Sequence, residues 1–427
     1  MMRSSRRDPL NWPAGVPTGR GTLSTQSTGE QMSAAEPEAV TESRWFGVGH
    51  STLDDAASAG KEAALQAITG GTPKLVMVFS SVVYDGEAML RGIRAVEPDA
   101  ALIGCSTGSE IATSGPVRSS VVVVALGGDG FDVVPIMRRG VSGRLHEAGA
   151  EVARSVYGLP DDARQRVLLL LTDGLSGNQQ EVVRGAYGVL GGTVPLVGGC
   201  SGNDRQVRQD HHYFGDEVVT DAIVAVAIAS DAPMGIGIEH GMQRVGEPML
   251  VTRAEDNLVL ELDGRPALDV YLDRLDAGDE VRTDIEAFRH VALTHPLGLA
   301  TRRGEEVRHI HGADFDDRSL AVVAEIPEGG MVWFMRGDTA SITQGARVAA
   351  DAAVAGLGDR PPIGLLAFDC IARRDVLGDE GTAHEIGLLA ACADGAPVAG
   401  FYTYGEIARL HGMSGFHNQT MVVLAVS

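Results

Sequence analysis

Apolar residues in this chain gather in short unbroken runs, and between the runs they recur at helical spacing. Residues 74–80, 121–126, 167–171, 363–368 and 421–426 are dominated by Val, Leu, Ile, Ala and similar residues, with polar or glycine residues around them. Runs of this kind predict strands buried on both faces. Met89, Ile93 and Val96 stand at i, i+4 and i+7 and predict a helix over 87–96; Val183, Tyr187 and Leu190 do the same over 180–190. Further helices are expected over 54–69, 146–157, 267–275, 342–355 and 382–392. Further strands are expected over 45–51, 101–104, 131–137, 221–229, 235–240 and 288–293. Gly-Gly-Asp-Gly at 127–130 predicts a hairpin joining 120–126 to 131–137.

The order of these elements repeats. Strand, loop, helix, strand, glycine phrase and hairpin run twice before residue 245 and again at the C-terminal end. The phrase LIGCSTGSEIA at 102–112 returns as VAGFYTYGEIA at 398–408, and LVGGCSGND at 196–204 is a third relative. Residues 121–140 match 320–338 in pattern, with Met137-Arg138 answering Met335-Arg336. The expected fold is α/β: two related domains of mixed sheets covered by helices, built from a repeated strand-helix-strand-hairpin module. The domains are placed at 44–245 and 246–427. Residues 1–43 are rich in Ser, Thr, Pro, Gly and Glu without periodicity and read as a disordered tail, with Met32 as an alternative start of translation.

Charge narrows the choice of partner. The net charge is −22 and the pI is about 4.9, so a duplex or an anionic membrane surface is repelled. No apolar run approaches the roughly 20 residues that span a bilayer, so no membrane insertion is expected. The four cysteines, at 105, 200, 370 and 392, form no C-x-x-C pair, and reduced thiols in a cytoplasmic protein are the natural reading. The only lysines are Lys61 and Lys74, which leaves Schiff-base chemistry two candidates. P-loop, H-E-x-x-H, EF-hand and G-x-S-x-G signatures are absent.

Candidate chemistry clusters at predicted strand ends. Cys105 and Cys200 share a Gly-Cys-Ser turn, where a thiol is either a nucleophile or a small residue packed behind the turn. Asp173, with Ser176 and Asn178, either caps a helix or holds a ligand amine. Cys370 takes the corresponding place in the last repeat, and Arg373 beside it has the geometry to grip a carboxylate. Tyr402, Tyr404 and Glu406 form a polar aromatic group suited to a small polar ligand or to packing under a helix. Asn418 and Thr420 fall on one face if they lie in a strand. His309 and His311 form H-x-H, and His211-His212 lie in an expected loop; no partner stands at metal-ligand spacing, and no cofactor is expected.

GCSTGSEI, GGCSGND, AFDCIAR, GFYTYGEI and the closing HNQT together resemble the marks of FIST proteins, over about residues 45–425. The resemblance implies a FIST N-terminal and a FIST C-terminal domain, regarded as sensory modules for small ligands, amino acids among them. It implies no established catalytic residue. Ligand contacts suggested by it are Cys370, Arg373, Tyr402, Tyr404, Glu406 and Asn418. Kinase, cyclase and chemotaxis segments are missing from this sequence, so the expected output runs through an unidentified signalling protein. The leading expectation is a non-catalytic small-ligand sensor. The alternative is a cysteine-dependent transferase or hydrolase using Cys105 or Cys200.

Overall fold

Gly47 and Gly49 let strand Trp45–Ser51 lie directly on helix Ala56–Ala67: a Cβ at either position would fall about 2 Å from the carbonyl oxygen of Ala67 or Ala63. Gly235 and Gly237 do the same for strand Met234–Glu239 against helix Thr339–Ala355, through Ala353 and Ala349. These pairs are the first sign of a structural repeat. The computed structural model describes residues 42–205, 209–301, 304–410 and 415–427. All but the last two residues of the expected tail, and the Met32 start, lie outside the described residues.

Three modules share one plan. The first has strands Trp45–Ser51, Pro73–Ser80, Ala101–Ser106 and Val121–Gly127, with helices Ala56–Ala67 and Gly86–Arg94. The second has Phe131–Arg139, Gln165–Thr172, Leu196–Cys200 and Ala222–Ser230, with helices Leu145–Ala153 and Gln180–Leu190. The third has Met234–Glu239, Gly364–Cys370, Val398–Thr403 and Met421–Val426, with helices Thr339–Ala355 and Ile371–Cys392, the latter kinked at Gly378. Within each sheet the order is first, fourth, second, third strand, and only the second and third run parallel.

Each sheet is completed by a hairpin from another module. Glu110–Ala112 with Gly115–Val117 adds to Val398–Thr403. His212–Phe214 with Glu217–Val219 adds to Ala101–Ser106, and Glu406–Arg409 with Phe416–His417 adds to Leu196–Cys200. The exchange is cyclic, so the three six-stranded sheets interlock. Their inner faces share one apolar core: Phe79 stacks on Phe401 at 4.8 Å and Phe368 meets Phe401 at 5.5 Å between ring centroids. Their outer faces are covered by each module's own helices. Burial on both faces is why the strands read as continuous apolar runs.

Residues 243–336 interrupt the third module between its first strand and first helix. They build a separate antiparallel sheet with helices Ala267–Arg274 and Ile285–Thr294 around Tyr271, Phe288 and Phe334. No helix of the described residues is long and apolar enough to cross a membrane.

Three expectations are corrected. Strands Val121–Gly127 and Phe131–Arg139 do not form a hairpin; the first pairs with Trp45–Ser51 and Pro73–Ser80, the second with Ala222–Ser230. The glycine turn, with Gly128 and Gly130 at positive φ, is a corner carrying the chain from one sheet to the next. The structural counterpart of 121–140 is 222–239, not 320–338, because Ser319–Val322 and Met331–Arg336 belong to the inserted sheet. Residues 288–293 are helical. Asp284 accepts from the N–H groups of Glu286 and Ala287 and starts the helix, and Phe288 and Ala292, four apart, are its buried face.

Candidate functional site

The three glycine phrases meet. Gly104, Gly198 and Gly400 occupy one position of the module, where a Cβ would fall 2.2, 2.0 and 1.8 Å from the carbonyl oxygens of Val78, Leu170 and Ala367. Just beyond them the turns bond to one another in a ring: Gly108 N–H to Tyr402 O at 2.8 Å, Gly202 N–H to Ser106 O at 3.0 Å, and Tyr404 N–H to Cys200 O at 3.5 Å. The hairpins that follow put Glu110, Glu406 and His212 at matching positions, opposite Phe401, Gly199 and Cys105. All three are fully buried.

These groups titrate far from their usual ranges. Glu110 accepts from Thr107 Oγ1 at 2.6 Å and from Ser120 N and Oγ at 3.2 and 2.6 Å. Glu406 accepts from Thr420 N and Oγ1 at 3.1 and 3.0 Å. Burial outweighs these bonds and pushes both carboxyls up to about 8. Burial lowers His212, His309 and His417 to about 4. Above about pH 7.5 those histidines are neutral whether the chain is folded or not. The two carboxyls stay protonated in the fold up to about 8 but ionise near the ordinary value of 4.5 when unfolded. The folded state then binds more protons, so their contribution to stability is lost as pH rises toward 8. The double variant Glu110→Gln/Glu406→Gln is expected to lose less stability than the wild type between pH 6.5 and 8, measured as urea midpoints.

A cavity of about 950 Å³ opens beside this junction. On one side are the turn before helix Gln180–Leu190, with Gly174, Asn178 and Gln179, and the start of helix Ile371–Cys392, with Cys370, Ile371 and Ala372. On the other side the inserted sheet region supplies Asp256, Asn257, His309, His311, Val323 and Glu325. Tyr404, Phe416 and Asn418 complete the wall.

The sequence-selected residues divide between this cavity and the surrounding core. Cys370, Tyr404 and Asn418 line it together. Tyr404 donates its hydroxyl to Asn203 Oδ1 at 2.8 Å and accepts from Arg205 N at 2.9 Å. Asn418 is 2% exposed; its Nδ2 donates to His417 O at 2.8 Å, while Oδ1 has no partner among the described residues. Asp173 sits one residue behind the wall, accepting from Leu175 N at 2.9 Å, and is pushed up to about 6 by burial and by Asp210. Arg373 does not line the cavity. Its guanidinium is fully buried, paired with Asp369 at 2.7 Å and with Glu385, and donates at 3.1 Å to the carbonyl oxygens of His240 and Ile342. Tyr402 lies in the core of the third module beneath Arg374, and Glu406 lies behind Thr420. Thr420 does not share a face with Asn418: Gln419 turns the chain at φ 54° and the strand begins only at Met421.

Two features were not foreseen. Gln179 lines the cavity, 3% exposed, with Oε1 unpartnered and Nε2 donating to Ser176 Oγ and Gly177 O. The inserted region's share of the wall has no motif that marks it. His309, noted as half of H-x-H, lies there; Gln419 Nε2 donates to its Nδ1 at 2.9 Å, which leaves the proton of the neutral ring on Nε2. No group of three metal-ligating side chains is found among the described residues.

Family models match residues 74–265 to the FIST N domain and residues 267–409 to the FIST C domain. The chain belongs to the FIST family. FIST domains are generally regarded as sensory, ligand-binding domains of signal transduction. An uncharacterized protein of Mycobacterium tuberculosis H37Rv is 28% identical over 391 residues, 88% of this chain and 97% of the relative. A second, of Mycobacterium bovis, is 27% identical over 397 residues, again 88% and 97%. A third, of Methanocaldococcus jannaschii, is 24% identical over 63% of this chain and 55% of its own length. Among solved structures, a cyanuric acid hydrolase from A. caulinodans aligns over 44% of this FIST chain and 72% of its own, at 12% identity and a TM-score of 0.26. That score is too low to carry fold or function across.

Proposed function

We propose that this FIST protein is a cytoplasmic sensor that binds an amino acid or similar small metabolite in the 950 Å³ cavity and signals through a partner protein. The observation that carries the reading is Asn418 Oδ1, buried in the cavity wall beside Cys370 and Tyr404 and unpartnered among the described residues. A buried acceptor left without a donor costs roughly 1–3 kcal/mol, and a ligand N–H removes that cost. The cavity's position supports signalling as well. One wall belongs to the interlocked modules and the other to the inserted region, so a ligand touching both favours the arrangement in which both are in reach.

Asn418→Leu tests this. The variant is expected to keep or gain thermal stability without ligand, because the orphan acceptor is gone. Its affinity for the amino acid that raises the wild-type Tm is expected to fall by about tenfold or more. A thermal-shift screen with the standard amino acids, followed by titration of both proteins, reads both effects. Equal affinity in the two proteins would place binding elsewhere.

The thiols oppose the cysteine-enzyme reading. Cys105, Cys200 and Cys370 are buried and each is raised well above the ordinary thiol range, chiefly by desolvation; Cys392, half-buried, is raised to about 11. A thiol held protonated is a poor nucleophile. All four are expected to alkylate more slowly in the native protein than a free cysteine at pH 8, and to react rapidly once unfolded. One fast native thiol, located by mass spectrometry, would revive that reading.

A further inference from the structure

The chemistry of the cavity wall says more about the ligand. Asn418 Oδ1 and Gln179 Oε1 are both acceptors, since each amide's nitrogen already donates to a carbonyl or hydroxyl oxygen. Both side chains are more than nine-tenths buried, line the cavity and lack a partner for that oxygen among the described residues. Two donors on the same wall are already engaged. Tyr404 gives its proton to Asn203, and Arg205 is paired with Asp375.

The charges point the same way. Glu181, Asp256, Glu325 and Asp375 line the cavity, and Arg205 lies among them. Arg184 stands nearby and pairs with both Glu181 and Glu325, at 2.5 and 2.8 Å. Asp256, on an exposed turn at φ 48°, forms no ion pair among the described residues. Among the described residues, four carboxylates therefore face two guanidinium groups. The N-terminus of helix Gln180–Leu190 opens on the same space and counts for about half a positive charge, which leaves the site negative among the described residues. A net anion carries a charge that this wall disfavours.

We infer that the ligand of this cavity is an organic cation with several N–H donors, an alkylammonium or guanidinium compound such as a basic amino acid or its amine, whose nitrogens fill Asn418 Oδ1 and Gln179 Oε1 and face Asp256 and Glu325. The inference rests on the cavity being the binding site and adds the class of ligand.

Isothermal titration calorimetry of the full chain with matched probes decides it. The probes are L-arginine, agmatine and L-lysine, the near-isosteric neutral compounds L-citrulline and L-norleucine, and L-glutamate. The expected result is that at least one cationic probe binds about tenfold or more tighter than its neutral counterpart. That preference should shrink severalfold in Asp256→Asn, an exposed position whose positive φ asparagine also tolerates, and in Glu325→Gln. If citrulline, norleucine or glutamate binds as tightly as the cations, the cation assignment is overturned while the small-ligand reading stands. If no probe binds, the cation assignment is overturned, and the small-ligand reading falls with it only if the screen of standard amino acids is also negative.

Discussion

Replacing Arg373 with methionine is expected to destabilise the protein by about 3–5 kcal/mol, the range seen when one partner of a buried ion pair is removed. Arg373, Asp369 and Glu385 are all fully buried, and the guanidinium is the cation that both carboxyls share. The carboxyl of Asp369 is already raised well above its usual range by burial and by Glu385, with Arg373 opposing the shift. Without the arginine, the carboxyl of Asp369 holds its proton still more tightly in the fold than in the unfolded chain. The folded variant then binds more protons, and its stability falls as pH rises. The loss relative to wild type should therefore be smallest in acid and grow toward neutrality, which urea unfolding at pH 5 and pH 7.5 would show. Arg373→Lys should recover only part of the difference, since an ammonium cannot make all four of the fixed contacts the guanidinium makes. A loss that does not vary with pH would mean that packing, not charge, is what Arg373 supplies.

The same chemical change at two glycines of the third module is expected to have opposite signs. At Gly400 an added Cβ would fall 1.8 Å from the carbonyl oxygen of Ala367 and 2.7 Å from its carbon. Those are backbone atoms of the adjacent parallel strand, fixed in register from Leu365–Val398 to Cys370–Thr403, so neither can swing aside. Gly400→Ala should cost at least the upper part of the roughly 1–3 kcal/mol typical of overpacking. It should also loosen the hairpin Glu110–Ala112 that pairs on the other side of the same strand. At Gly387, on the exposed face of helix Ile371–Cys392, a Cβ meets nothing within 4 Å. Gly387→Ala should stabilise by about 0.5–1 kcal/mol, because alanine is the better helix former. Denaturant midpoints of the two variants compared with wild type check the pair of signs. Equal and small effects at both positions would contradict the close strand-to-strand contact that defines the glycine phrase.

How far the sequence foretold this structure depends on the range of the interactions. Strands such as Val121–Gly127 and helices such as Gln180–Leu190 were legible because their burial pattern is written in neighbouring residues. The threefold repeat was legible because Gly104, Gly198 and Gly400 answer one backbone requirement in each copy. The exchange of hairpins was not: Glu110 pairs with Phe401, and no local pattern says which sheet a hairpin joins. The corner at Gly128–Gly130 was misread for the same reason, since a tight glycine turn serves a hairpin and a sheet-to-sheet crossing alike. Cys370, Tyr404 and Asn418 could be picked out because they sit on the phrases and strand ends that converge. Arg373 looked equally accessible in sequence, although its i−4 neighbour Asp369 was the clue to a buried pair. Asp256, His309 and Glu325 reach the cavity from an insertion outside the repeat, which only the folded chain reveals.

The central claim is that a small molecule occupies the cavity beside Asn418. Native mass spectrometry of the wild type and of Asn418→Leu, purified in parallel and each measured again after denaturation, tests it most directly. The account predicts a small-molecule adduct on the native wild type that denaturation releases and that is absent or much reduced on the folded variant. Bare polypeptide mass in both native proteins, or the same adduct at the same occupancy on both, would contradict it.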